Sequence, residues 1–259
     1  MANSAIDAYL AQSGEQPFAA SGELDGAPAL RRRIALTCRF LADDGHSRNL
    51  AGQISVKMPD ETFWTTRFGT GFRDARASNL LRVDRDLNLV EGGGAANPAI
   101  RSHIWIYDRR PEIGCIIHSH PPFASALSTT GLPLEPRHVD QMMFYEDCAH
   151  LPTWPGVLLQ ADEAPLIGEA LGDKHTILLA NHGIQAAGRT LGHAVYLAAH
   201  LEYAAQIQMT APAAAIIAAP IDRDIALAAR TFTTAQKFID LTFDYWCREA
   251  AAKHPDALD

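Results

Sequence analysis

A chain of 259 residues, 47% of them hydrophobic, can bury a substantial core as one large α/β domain or two small ones. Thirty acidic side chains against 22 lysines and arginines leave a formal charge of −8, which argues against a nucleic-acid binder that tracks phosphates. No apolar run approaches the roughly 18 residues of a membrane span, and the first ten residues hold Asp7 and no basic cluster. The expectation is therefore a cytoplasmic protein without a signal peptide or membrane partner, whose four separated cysteines, Cys38, Cys115, Cys148 and Cys247, are reduced and mostly buried.

Residues 1–28 are rich in Ala, Ser, Gly and acids, lack periodicity and read as a peripheral arm; residues 29–259 read as one domain. Leu30, Ile34, Leu36, Phe40 and Leu41 recur near helical spacing, so 29–43 is predicted as an amphipathic helix stopped by Gly45. Its Arg31-Arg32-Arg33 run reads as a solvated face. Residues 53–58 and 62–66 read as strands parted by the turn pair Pro59-Asp60, and 87–90 as a short strand closed by Gly92-Gly93-Gly94. Pro98 suits the first turn of a helix that runs to Arg110 before Pro111.

Next comes the apolar run Gly114-Cys115-Ile116-Ile117-His118-Ser119-His120, ended by Pro121-Pro122. A short helix near 122–129, a turn at Gly131-Leu132-Pro133 and a helix over 162–171 closed by Gly172 follow. The strand 176–180 leads into Asn181-His182-Gly183, and Gly188 leads into a helix over 190–210. An Ala/Pro connector spans 211–220, and one last helix covers 222–252 with Phe238, Leu241, Tyr245 and Trp246 on an exposed face. Interleaved strands and helices imply a three-layer α/β domain.

In an extended segment, residues i and i+2 point to one side, so His118 and His120 can present two imidazoles to one point. That is how a divalent metal is held. His182 ends a second strand; by itself it reads either as a third ligand or as a turn-stabilising histidine. Three neutral imidazoles would leave positions open for water and a bidentate substrate. The histidines His46, His150, His175, His193, His200 and His254 have no partner at ligand spacing and read as structural or exposed. His103 reads as a packed, hydrogen-bonded histidine on the helix from Pro98.

Three segments together resemble the class II aldolase/adducin superfamily: Ala51-Gly52-Gln53-Ile54-Ser55-Val56-Lys57, Arg110-Pro111-Glu112-Ile113 leading to Ile117-His118-Ser119-His120, and Leu178-Leu179-Ala180-Asn181-His182-Gly183. The resemblance covers about residues 30–210. It implies an α/β/α fold around a mainly antiparallel sheet. It also implies one divalent metal per subunit, manganese or zinc with iron(II) as an option, on His118, His120 and His182. The family pattern further implies a homotetramer with active sites between subunits, in which the Tyr245 and Trp246 face is an interface or lid.

The sequence departs from the sugar-phosphate aldolases at their working glutamate, which stands nineteen residues before the first metal histidine; here that residue is Ala99. Gln53 stands where the phosphate-gripping loop has asparagine, and Ala96-Asn97 replaces a phosphate-holding serine pair. The Asn97-Pro98-Ala99 version is similar to a branch of metal-dependent decarboxylases of hydroxylated aromatic or pyridine dicarboxylates. Decarboxylation needs no base to begin, only a Lewis acid and a later proton donor.

His138 falls near the position from which the aldolases supply a proton-donating tyrosine, and Tyr145 is a second candidate. Gln53 and Asn97 are candidate substrate contacts. Arg73, Arg101 and Arg137 are candidates for the substrate's second carboxylate, because guanidinium grips carboxylate through two bonds. The expected activity is carboxy-lyase on a small carboxylate. An aldolase on a non-phosphorylated hydroxyketone is the alternative and an iron(II) oxygenase the next. A non-catalytic adducin-like module is disfavoured by the presence of all three histidines.

Overall fold

A computed structural model describes residues 27–154, 156, 163–214 and 219–259. Most strands run between two apolar layers, several of them on β-branched and aromatic residues. The strands are β1 (Gln53–Lys57), β2 (Phe63–Thr66), β3 (Leu80–Val83), β4 (Leu89–Glu91), β5 (Cys115–Ser119), β6 (Cys148–Leu151), β7 (Thr176–Leu179) and β8 (Gly183–Gly188). They build an eight-stranded sheet in the order β4-β3-β2-β1-β5-β8-β7-β6. Every neighbouring pair is antiparallel except β6 and β7.

Helices cover both faces. On one side lie α1 (Ala27–Asp43), α3 (Pro122–Ser128), α5 (Leu191–Thr210) and α7 (Gln236–Lys253), packed on Ile54, Val56, Cys115, Ile117, Ile184 and Ala186. On the other lie α2 (Arg101–Arg109) and α4 (Glu163–Leu171), packed on Phe63, Leu81, Ile116, Ile177 and Ala187. Strand alternation sorts the residues: Cys115 and Ile117 face the first layer, Ile116 the second. The result is the expected α/β/α architecture around a mainly antiparallel sheet.

Several expectations are corrected. The last helix is two: α6 (Arg223–Thr233) and α7, parted at Thr234, with Asp222 capping α6 through the amides of Asp224 and Ile225. The first helix starts at Ala27, inside the expected arm; the rest of that arm, 1–26, lies outside the described residues, as do residue 162 of the expected α4 and 215–218 of the connector. Three strands went unpredicted, β3, β6 and β8. Leu87 is not strand: its φ of 68° places it in the turn before β4.

The arginine run is not simply solvated. Arg31 pairs with Glu91 and lies over Trp64, Arg32 donates to the Leu258 carbonyl, and Arg33 pairs with Asp244. On α7, Trp246 is only part-exposed and stacks on Phe40 with ring centroids 4.5 Å apart, while Tyr245 stays exposed. The cysteines are free thiols, with Cys38, Cys115 and Cys247 buried.

Candidate metal centre

The site lies where β5 ends and β8 begins, in the middle of the sheet. His118 is on β5, opposite Gln53 of β1 and Gln185 of β8. Its side chain joins the α2 side of the sheet, and His120 follows beyond the strand end. His182 precedes β8 in a tight turn: Asn181 takes a left-handed φ of 54°, a conformation asparagine tolerates better than most residues. Asn181 N–H donates to the Ser128 carbonyl and His182 N–H to the Leu179 carbonyl, which fixes the direction of the turn.

These elements gather the three rings. Centroids of His118, His120 and His182 are 4.7 to 4.9 Å apart in every pairing, edge to face. One nitrogen from each lies within 4.8 Å of the others. His118 and His120 bring their Nε2 atoms to 3.1 Å. Two ligands of a single ion at about 2.1 Å each would sit about this far apart. His118 Nδ1 is 2.9 Å from the Ile184 carbonyl, so it carries the proton and Nε2 keeps its lone pair for the shared point.

The electrostatics point the same way. Burial drives the His118 imidazole well below its ordinary value, and His182, His120 and His103 act in the same sense. Burial, then His120, brings His182 down to about 4, and burial also lowers His120. All three are neutral at neutral pH and offer lone pairs, the state a metal requires. The donor set therefore fits a divalent ion. Among the described residues no carboxylate or thiol joins this cluster.

Close packing holds the rings together. A Cβ on Gly183 would overlap the Ser119 carbonyl oxygen and stand 2.8 Å from His120 Cδ2, so only glycine lets β8 run this close to His120. His103 is buried beside the site, with Nδ1 2.8 Å from Ser55 Oγ, and burial takes it down to about 3. Tyr107 donates to the Ser55 carbonyl and completes that buried network.

A family described as Class II Aldolase and Adducin N-terminal domain matches residues 32–209. The chain belongs to this family. Decarboxylase NovR of Streptomyces niveus is 32% identical to this class II aldolase homologue over 190 residues, 71% of this chain and 70% of NovR. The 3,4-dihydroxyphthalate decarboxylase of Arthrobacter keyseri is 30% identical over 210 residues, 76% of this chain and 84% of that one. A 4-hydroxy-3-prenylphenylpyruvate oxygenase/4-hydroxy-3-prenylbenzoate synthase of Streptomyces roseochromogenus is 31% identical, with 76% and 73% covered. Among solved structures, the L-fuculose 1-phosphate aldolase of Glaciozyma antarctica PI12 superposes with a TM-score of 0.81 at 27% identity, covering 96% of this chain and 98% of that one. The class II aldolase fold is thereby shown.

Of the sequence-predicted site residues, the chain brings together His118, His120 and His182, with buried Gln53 in register beside His118. The others make no hydrogen bond, ion pair or ring contact with the three rings. Asn97 accepts from Ala99 N–H and caps the turn before α2, where Ala99 itself is exposed. Arg73 pairs with Asp43 and donates to the Ala42 carbonyl. Arg101 is exposed at the start of α2, and Arg137 pairs with Glu135. His138 caps a 3-10 turn over Val139–Phe144, its Nδ1 accepting from Asp140 N–H, and Tyr145 closes that turn half-buried.

Two residues near the centre are His46, which the sequence reads as structural or exposed, and Glu202, which it does not single out. His46 is fully buried with Nδ1 2.8 Å from Ser119 Oγ, and Glu202 of α5 accepts from the amides of Phe123 and Ala124. Four of the other histidines set aside are engaged away from the rings, His175 with Asp147, His193 with Arg189 N–H, His200 with the Tyr196 carbonyl and His254 with Asp43, while His150 buries Nε2 without a hydrogen-bond partner among the described residues. No described helix is long and apolar enough to cross a membrane.

Proposed function

We propose that this chain is a cytoplasmic metal-dependent carboxy-lyase acting on a hydroxylated aromatic or pyridine dicarboxylate. The observation that carries the reading is a cluster of three neutral imidazoles that no carboxylate among the described residues joins. Support comes from two decarboxylases among relatives at about the same identity.

A divalent ion on His118, His120 and His182, manganese or zinc by preference and iron(II) as the other option, would supply a Lewis acid for a phenolate oxygen and its neighbouring carboxylate. The remaining work falls to the chain. Gln53 offers a buried amide beside His118, and Asn97 is the further polar contact. Arg73, Arg101 and Arg137 are the guanidinium candidates for the second carboxylate. As the carbon–carbon bond breaks, its electron pair stays on the ring carbon and carbon dioxide leaves; that carbon then takes a proton from His138 or Tyr145. The turn fixes the His138 tautomer, because Nδ1 accepts from Asp140 N–H and so leaves the proton on Nε2. His138 and Tyr145 reach the substrate in a homotetramer whose sites lie between subunits, with the Tyr245 face of α7 as one contact.

Carbon dioxide release from a panel of ortho-hydroxy aromatic dicarboxylates by the manganese- or zinc-loaded protein tests the reading. Failure across the panel together with retro-aldol cleavage of a hydroxyketone would replace it with an aldolase. The oxygenase relative supports a second reading: dioxygen uptake by the iron(II)-loaded protein on a hydroxyaromatic acid, without metal-dependent decarboxylation under nitrogen, would select it.

A further inference from the structure

The side of the sheet behind the three rings is built of unusual material. Ser119 sits between His118 and His120, and alternation turns it toward the opposite layer, where it is fully buried. A buried hydroxyl is costly unless paired, and alanine would fill that place at no such cost. Its partner is His46, also fully buried and 73 positions away in sequence, which shares a 2.8 Å hydrogen bond with Ser119 Oγ through Nδ1. The loop that carries His46 also passes close to Pro122, two residues after His120. Gly45, at a left-handed φ of 88°, lies where a Cβ would be 3.6 Å from Pro122 Cδ.

The chain after His120 is held a second time. Pro121 and Pro122 have no amide hydrogens to give, so the first free amides after His120 are those of Phe123 and Ala124. Both donate to Glu202, at 2.8 Å to Oε1 and 2.7 Å to Oε2, and Glu202 is buried on α5. Residues on each side of His120 are thus tied to other elements. His118 is tied from its own side by the Ile184 carbonyl.

We infer that His46, Ser119 and Glu202 are positioning residues that aim His118 and His120 at a shared ion from behind the sheet. The inference rests on the metal reading of the three rings and extends it. Residues that orient first ligands typically change metal affinity about 10- to 100-fold when removed. A group with a merely structural role would lower stability and leave affinity alone.

The test uses the full chain and Co²⁺ alone as the probe, read by visible absorption during titration, with far-UV circular dichroism to establish that each variant is folded. Ser119→Ala and Glu202→Gln are each expected to weaken Co²⁺ binding about tenfold or more and to alter the absorption band. Ser119→Thr, which keeps the hydroxyl, should bind close to the parent. Should Ser119→Ala fail to fold, the near-isosteric Glu202→Gln decides. Folded variants that bind Co²⁺ within about twofold of the parent, with the same spectrum, overturn the inference. His118→Ala separates the two readings: if it binds Co²⁺ as the parent does, the metal reading itself has failed, whereas loss of binding there with unchanged binding in Ser119→Ala and Glu202→Gln removes only the brace.

Discussion

Gly183→Ala puts one methyl group into the tightest contact of the site. The added carbon would overlap the Ser119 carbonyl oxygen and stand 2.8 Å from His120 Cδ2 and 3.3 Å from His120 Cα. Carbon atoms rest at about 3.5 to 4.0 Å, so the β5 end must retreat by roughly 0.7 Å or more. It cannot retreat freely, because Ser119 is in register with Ile184 on β8 and tied to His46 behind. Overpacking of this kind costs about 1 to 3 kcal/mol. At about 2 kcal/mol, a protein of this size loses about 4 to 8 °C in melting temperature. The same displacement moves His120 away from His118 and His182, so metal affinity falls with stability. Differential scanning fluorimetry on the metal-free protein and a Co²⁺ titration read the two effects. A melting temperature within about 1 °C of the parent and unchanged affinity would refute the argument that this glycine sets the approach of the two strands.

Three further outcomes are expected. His118→Ala should abolish binding of one ion per chain in a metal titration, while leaving the sheet intact by circular dichroism. Stability should fall as pH drops. Burial takes His103 down to about 3, and burial with His175 and Arg189 takes His193 down to about 4, so the unfolded chain protonates first and stabilisation present above about 6.5 is lost on acidification. At pH 5 each should have lost about 2 kcal/mol; urea midpoints at pH 7.5 and 5.0 check this, and a flat profile would contradict it. Arg39→Leu should cost about 2 kcal/mol, because the guanidinium holds the Ala75 carbonyl at 2.9 Å and Asp256 at 2.8 Å. Chemical denaturation measures it.

The centre of this fold was legible because its signals are local. His118 and His120 share one face by spacing alone, and β1, β5 and β7 each carry two β-branched residues among buried neighbours. β8 was not legible: Gly-Ile-Gln-Ala-Ala-Gly has little strand propensity, and its place between β5 and β7, buried throughout, decides its conformation. The break between α6 and α7 falls at Thr234-Ala235, with neither glycine nor proline to announce it. His46 and Glu202 lie 73 and 79 positions from the residues they hold, a distance no periodicity spans. The alternation that paired the two histidines did imply that Ser119 faces the other way, and that was the available clue.

The nitrogens of His118 and His120 already stand 3.1 Å apart at the end of a hydrogen-bonded strand in the centre of the sheet. An ion entering such a place has little chain to order, unlike the ion of a zinc finger, which must fold its own cage. Chelation should therefore leave a folded protein that accepts a replacement ion without refolding. The identity of the metal becomes an experimental variable, and manganese, zinc, cobalt and iron can be compared in one unchanged scaffold.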